Sequence, residues 1–205
     1  MFTFPRAHQK TQWQGQGSLL DGLIPYFGGD SLGVCFGISA LWIKIDAPFD
    51  CISALRDKKE EIEAAQKWLT EEMEHDPLVA LDSIANETIG PSSIPGRRYA
   101  DGVASHIILD IHQANQAQHY IVAFYYTGGL QGTGGHAIAV SFDEVEMGKI
   151  LDPNYGVASY QSRTSLCNDL HGLLASYVVP SGHITESYLL EFDNENVFGD
   201  FQGAS

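Results

Sequence analysis

Basic residues are scarce in this 205-residue sequence, which has 11 lysines and arginines against 26 aspartates and glutamates. The net charge of −15 is placed unevenly, because only 2 basic residues follow Ala100, against 12 acidic ones. An acidic surface repels phosphate backbones and anionic lipid headgroups. The charge balance therefore argues against nucleic acid and membrane surfaces as partners, and it leaves basic protein surfaces as candidates.

Cysteines and long apolar runs are also few. Cys35, Cys51 and Cys167 are an odd number and form no even disulfide framework, so we interpret them as reduced thiols. The longest apolar stretch, Val34 to Ile43, has half the length that a membrane span needs. Residues 1–17 are polar and rich in glutamine, without the apolar segment of a Sec-type signal. We expect a soluble monomer that is cytoplasmic where it is made.

The composition, 44% hydrophobic and 18% charged, predicts one well-buried domain. We expect this domain over 18–195, between flexible tails at 1–17 and 196–205. Apolar periodicity predicts helices over Cys35–Ile45, Cys51–Glu74, Pro77–Ala85 (capped by Asp76), Val103–Ile111 and Thr164–Val178, and strands over Tyr120–Thr127, His136–Phe142, Lys149–Asp152 and Ile184–Phe192. Gly90–Gly96 reads as a loop. Helices first and antiparallel strands later predict an α+β fold, with an N-terminal helical half packed on a C-terminal sheet.

Cys35 opens the most apolar of these helices, directly after a turn. A thiol in the first helical turn is close to the positive end of the helix dipole and to unpaired N–H groups, which stabilise the reactive thiolate. The alternative interpretation is a small buried hydrophobic residue.

His136 stands between a glycine-dense loop, Gly128–Gly135, and an apolar strand. Phosphate-binding glycine loops lead into a helix, whereas this one leads into a strand, so we do not predict nucleotide binding. The glycines allow a second backbone to approach beside His136. A purely structural histidine is the alternative.

The position of Asp152 relative to His136 follows from the pairing register assumed for the hairpin that joins their two predicted strands. If Phe142 pairs with Glu146, then His136 lies directly opposite Asp152, and residues opposite each other in an antiparallel pair share a face. Asp152 could then orient the imidazole, although Asp152–Gly156 is also an ordinary turn sequence. Together the three residues supply a nucleophile, a base and an orienting carboxylate.

Three short blocks carry a resemblance to a known family. They are Gly33–Ile43, which contains Cys35, then Gly135–Ala139, which contains His136, and Leu151–Gly156, which contains Asp152. In this order they resemble the YopT/AvrPphB-type cysteine proteases. The resemblance implies a papain-like fold, a Cys-His-Asp triad at Cys35, His136 and Asp152, and a bacterial virulence effector secreted into a host cell by a non-Sec route. Relatives cut prenylated Rho-type GTPases or host kinases, and several trim their own N-termini.

The sequence departs from the papain pattern just before the cysteine. Papain-like enzymes place an Asn or Gln there to help hold the oxyanion, whereas the nearest counterpart here is Asp30, whose carboxylate cannot donate a hydrogen bond. Ser31 or a backbone N–H is the alternative donor. Trp42, Gly134 and Gly135 are predicted to lie along the substrate groove.

Three functions remain open on these grounds. The first is a thiol endopeptidase that cleaves a host protein, with a basic substrate segment suited to the acidic chain. The second is a glutamine deamidase or transglutaminase-type enzyme with the same triad, and the third is a non-catalytic binding module. No cofactor is predicted. No metal site is predicted either, because His106, His112 and His119 lack accompanying carboxylates at metal-ligand spacing.

Overall fold

A computed structural model describes residues 2–11, 34–72, 76–100, 104–113, 118–128, 132–143 and 147–193. Within these ranges the elements are, in chain order, β1 (Gln9–Lys10), α1 (Cys35–Lys44), α2 (Ile52–Asp57), α3 (Lys59–Glu72), α4 (Pro77–Thr88), β2 (Ile94–Ala100), α5 (Ala104–Gln113), β3 (Gln118–Thr127), β4 (Gly134–Phe142), β5 (Gly148–Asp152), β6 (Gly156–Tyr160), α6 (Arg163–Ser176) and β7 (His183–Asp193). None of the helices in these ranges is long and apolar enough to cross a membrane.

The seven strands form one antiparallel sheet in the order β1-β6-β5-β4-β3-β7-β2. Successive strand side chains point to opposite faces, so each strand contributes to two cores. Ala137, Ala139 and Leu151 pack with α1 to α4 on one face, while Ile138 and Val140 pack with α5 and α6 on the other. The fold is therefore α+β, as predicted, with helices on both faces of the sheet.

Helix α1 is buried along its length, as its apolar sequence predicts, because residues Cys35 to Ile43 are all buried. Close packing against α3 depends on Gly37, where an added Cβ would lie 2.5 Å from the Ile62 carbonyl oxygen. Ser39 Oγ donates a hydrogen bond of 3.3 Å to the Ala137 carbonyl on β4. These contacts fix the start of α1, and with it Cys35, against the central strands.

Two helix predictions have different outcomes. Asp76 caps α4 as predicted, since its carboxylate accepts hydrogen bonds from the N–H groups of Leu78 and Val79 at 2.9 and 3.4 Å. The single helix predicted over Cys51–Glu74 is wrong, because the structure divides it into α2 and α3 at Lys58. Neither glycine nor proline marks this break in the sequence.

Strand β2 corrects part of the loop predicted over Gly90–Gly96. Proline and glycine favour a loop there, yet β2 pairs with β7 at the edge of the sheet, with an irregular register between Ile94 and Arg97. An edge strand tolerates proline because one side of its backbone needs no ladder partner. Pairing with a distant strand, rather than local preference, makes this segment extended.

Residues 2–11 do not behave as the flexible tail predicted over 1–17. Phe4 is 3% exposed within the core beneath α6. The backbone N–H and Nη1 of Arg6 donate to the buried carboxylate of Asp169 at 2.9 and 3.0 Å. The segment is docked because Phe4 packs in the core and Arg6 is the counter-ion of the buried carboxylate of Asp169. Residues 12–17 and the tail predicted over 196–205 lie outside the described residues.

Candidate active site

Cys35 is the first residue of α1 and is 1% exposed. No side chain among the described residues caps this helix, whose N-cap is Val34. The first N–H groups of a helix have no acceptor within it, and they carry the positive end of the dipole. The predicted environment of the thiol, at the start of a buried helix, is therefore the observed one.

His136 on β4 and Asp152 at the end of β5 are brought together, with 3.1 Å between His136 Nε2 and Asp152 Oδ1. Both are buried, at 4% and 0% exposure. The predicted pairing register is nevertheless wrong, because Ile150 pairs with Val140 and not with Ile138. This displacement is two residues, which leaves every side chain on its predicted face. The two side chains therefore meet diagonally instead of directly across the pair.

The hairpin turn explains the displacement. Phe142 pairs with Gly148, whereas the prediction assumed Glu146. Asp143 closes the longer turn, since its N–H donates to the Met147 carbonyl at 3.0 Å and its carboxylate accepts from the Met147 N–H at 2.9 Å. The turn is therefore closed between Asp143 and Met147, and the loop is longer than the prediction assumed.

Burial, neighbouring charges and hydrogen bonds together set the pKa of His136. Burial by itself lowers its pKa, but the charge of Asp152, the charge of Cys35 and hydrogen bonds with both residues outweigh burial and raise the pKa from 6.5 to about 10. The Nε2 atom faces Asp152, and the ring also has a hydrogen bond with Cys35. The pKa of about 10 favours the imidazolium form of His136 at neutral pH, with Asp152 and Cys35 as its hydrogen-bonding partners.

Asp152 has partners besides His136. Its Oδ1 accepts from the backbone N–H of Asn154 at 2.7 Å, and both of its oxygens lie within hydrogen-bonding distance of the Tyr177 hydroxyl, at 3.2 and 2.9 Å. Tyr177 lies within the helix predicted over Thr164–Val178, but that prediction assigned it no contact with Asp152. The only signal in the sequence was its hydroxyl, which needs a partner when it is buried.

A hollow lined mainly by apolar side chains opens beside the thiol and the imidazole. Its lining consists of Cys35, Phe36, Leu69, Leu81, Ala123, Phe124, Tyr125, His136 and Ala137. An apolar wall keeps water away from the pair and strengthens the electrostatic interactions within it.

The predicted groove and oxyanion residues have mixed outcomes. Trp42 does not line a groove, because it is 0% exposed and its Nε1–H donates to the Pro48 carbonyl at 2.9 Å. Its position, nearly two helical turns beyond Cys35, carries its ring into the core. Gly134 and Gly135 are partly exposed at the start of β4, next to His136, and remain candidates. Asp30 and Ser31 lie outside the described residues.

Cys51 and Cys167 are free thiols, as predicted, and both are buried, at 1% and 3% exposure. Burial raises the pKa of Cys51 to about 12 and that of Cys167 to about 11. Both thiols are therefore protonated at neutral pH, which makes them poor nucleophiles.

Comparison with known proteins places the fold. The crystal structure of the Pseudomonas avirulence protein AvrPphB matches with a TM-score of 0.59 and 16% sequence identity, over 77% of this chain and 90% of that chain. The crystal structure of PatoxP, a cysteine protease-like domain of the Photorhabdus asymbiotica toxin PaTox, matches with a TM-score of 0.48 and 12% identity, over 95% of this chain and 56% of that chain. No family model and no curated protein matches the sequence. The likeness to AvrPphB confirms the predicted papain-like α+β fold.

Proposed function

We propose that this chain is a thiol endopeptidase in which Cys35 is the nucleophile, His136 the general acid and base, and Asp152 the orienting carboxylate. The observation that carries the proposal is that His136 Nε2 lies 3.1 Å from Asp152 Oδ1 while Cys35 and His136 line the same largely apolar hollow. A raised imidazole pKa supports it, because a cationic imidazole stabilises the thiolate that must attack.

Acyl transfer begins when the Cys35 thiolate attacks the carbonyl carbon of the scissile peptide bond. The carbonyl π electrons move to oxygen, and the resulting oxyanion needs hydrogen-bond donors that are already in place. The N–H groups of the first turn of α1, which begins at Cys35, lie at the positive end of the helix dipole and are suited to this. We assign the backbone N–H of Cys35 to the oxyanion, with Ser31 as the sequence-based candidate for a second donor.

The tetrahedral intermediate then collapses to a thioester. The C–N bond breaks as the His136 imidazolium donates its proton to the leaving amine, and the neutral imidazole next accepts a proton from water. That water attacks the thioester and releases the carboxylic acid, while the thiolate and imidazolium form again. Asp152 keeps the ring in one orientation throughout, through its bond to Nε2.

A basic substrate segment suits the charge of the chain. Lys149 and Arg163 are the 2 basic residues after Ala100, and the fold engages both. Lys149 Nζ donates to the Ala47 carbonyl at 2.8 Å, and Arg163 is 7% exposed and donates to the Ile111 carbonyl at 2.8 Å. The half of the chain that carries His136 and Asp152 is therefore dominated by acidic side chains, and it attracts positive charge.

The resemblance of the motifs to bacterial effector proteases directs the proposal to a host protein as the substrate. The test is N-terminal peptide profiling of host lysate treated with wild type, Cys35→Ala or Cys167→Ala. We expect new peptide N-termini with wild type and with Cys167→Ala, which removes a packed thiol, and none with Cys35→Ala.

Other outcomes of this profiling identify the competing functions. Glutamine residues that gain about one dalton without a chain break point to deamidation through the same thioester. If neither new peptide N-termini nor deamidated glutamines are found, and iodoacetamide alkylates Cys35 slowly, the result would support a non-catalytic binding module. Raising salt from low to physiological ionic strength should slow the cleavage of a basic substrate, and an unchanged rate would remove the charge argument.

A further inference from the structure

Tyr177 follows the last residue of α6 and is 1% exposed. Its N–H donates to the Leu174 carbonyl at 3.3 Å, so the final turn of the helix fixes its backbone. Its side chain contacts both His136 and Asp152. One residue from outside the triad thus touches the base and the residue that orients the base.

The hydroxyl of Tyr177 completes the hydrogen bonding of the buried carboxylate. Asp152 Oδ1 already accepts from His136 Nε2 and from the Asn154 N–H. Asp152 Oδ2 accepts a hydrogen bond of 2.9 Å from the Tyr177 hydroxyl, which is the donor to this oxygen among the described residues. A buried carboxylate without this donor would be costly to keep ionised.

A second hydrogen bond, from Asn154, fixes the direction in which the Tyr177 hydroxyl donates. The Asn154 side-chain amide donates to the Tyr177 oxygen at 3.1 Å, so the hydroxyl proton is available for Asp152. Burial, followed by the charge of Asp152, raises the pKa of Tyr177 well above 10, and the hydroxyl therefore remains a donor throughout the working pH range. The charged or titratable groups around the ring are His136, Asp152, Tyr155 and Tyr126.

The ring of Tyr177 also limits the orientation of the imidazole. It stacks on His136 with 4.7 Å between ring centroids and 29° between planes. Phe124 and Tyr126 hold it from another side, at 5.2 and 5.7 Å. A rigid aromatic surface of this kind favours one ring plane, in which Nε2 faces the carboxylate.

We propose that Tyr177 is a positioning residue that locks the Asp152 carboxylate and the His136 imidazole into the geometry that sustains the Cys35 thiolate. The inference rests on the proposed triad and extends it to a fourth side chain. It requires no particular substrate, because it concerns how the thiolate-imidazolium pair is held.

The experiment measures the rate constant for alkylation of Cys35 by iodoacetamide from pH 4 to 9, in full-length wild type and in Tyr177→Phe. The phenylalanine keeps the ring and removes the donor. We expect alkylation at neutral pH to fall about tenfold to hundredfold, as loss of a hydrogen bond to a buried charge implies, and the onset of the reaction to move to higher pH.

Tyr160→Phe is the matched control. Tyr160 is 2% exposed and its hydroxyl donates at 3.2 Å to Asp169, another carboxylate at 0% exposure, in the same core cluster as Tyr177. The control should lower the melting temperature without moving the alkylation profile. An unchanged profile in folded Tyr177→Phe, or an equal change in both variants, would overturn the inference.

Asn154→Ala keeps the test decisive if Tyr177→Phe does not fold. It retains the backbone donor to Asp152 and removes the amide that orients the Tyr177 hydroxyl. We expect a smaller change in the same direction, and its absence would count against the proposal. Wild-type Cys35 that reacts as slowly as free cysteine would instead refute the triad itself, so the two failures are distinguishable.

Discussion

Replacing Asp152 by asparagine removes the charge that holds His136 as a cation, at nearly constant side-chain volume. Burial lowers the pKa of His136, yet its interactions with Asp152 and Cys35 bring it to about 10 from 6.5, a difference that corresponds to about 5 kcal/mol in favour of the imidazolium. The charge of Asp152 is the largest of the favourable contributions. We therefore expect Asp152→Asn to lose about 2 to 4 kcal/mol of stabilisation of the thiolate-imidazolium pair, or about 30-fold to 1000-fold in reactivity at neutral pH.

The assay is the rate constant for iodoacetamide alkylation of Cys35 at neutral pH, per folded molecule, with folding checked by circular dichroism. Cys51 and Cys167 give little background, because burial raises the pKa of each to about 12 and about 11. Asp169→Asn is the control, since Asp169 is equally buried at 0% exposure and hydrogen-bonded, but it pairs with Arg6 and not with a histidine. Folded Asp152→Asn that reacts at the wild-type rate would refute the electrostatic reasoning.

Three other perturbations probe the site and the fold. Because the pKa of His136 is raised to about 10, His136 should still protonate the leaving amine at neutral pH. We expect the cleavage rate to fall only as pH rises through about 10, while the alkylation rate of Cys35 stays constant. A fall of the cleavage rate near pH 6.5 would contradict this. Gly37→Ala places a Cβ 2.5 Å from the Ile62 carbonyl and should cost about 1 to 3 kcal/mol by thermal unfolding, whereas Gly172→Ala, whose close neighbours belong to one phenylalanine ring, should cost less. Phe4→Ala should lower the free energy of unfolding by about 3 to 5 kcal/mol in urea titration, and an unchanged midpoint would mean that the N-terminal segment does not dock.

Local signals in the sequence were sufficient for most helices and strands. The start of α1 at Cys35 and the cap of α4 at Asp76 were predicted correctly, because both depend on residues within a few positions. The contact between His136 and Asp152 survived a wrong hairpin register because strand side chains alternate with a period of two. For the site, the sequence was informative where the two-residue period of a strand, or the spacing along a helix, decides on which face of the element a side chain lies.

Contacts between distant segments decided the rest. β2 is a strand because β7 pairs with it, and the segment around Phe4 is ordered because a core pocket and Asp169 receive it. Periodicity predicted a helix that includes Tyr177, but the hydroxyl of Tyr177 contacts Asp152, which is 25 residues away in the chain. No local pattern encodes that meeting.

The sequence by itself determined the acidic character of the chain, the thiol at a helix start, and the shared face of the base and its carboxylate. The tertiary structure decided the hairpin register, the burial of Trp42, the docking of the N-terminal segment and the hydrogen bond from Tyr177 to Asp152. The physical reason is that propensity and side-chain period act over a few residues, whereas register, burial and buried hydrogen bonds depend on which surfaces the whole chain brings together.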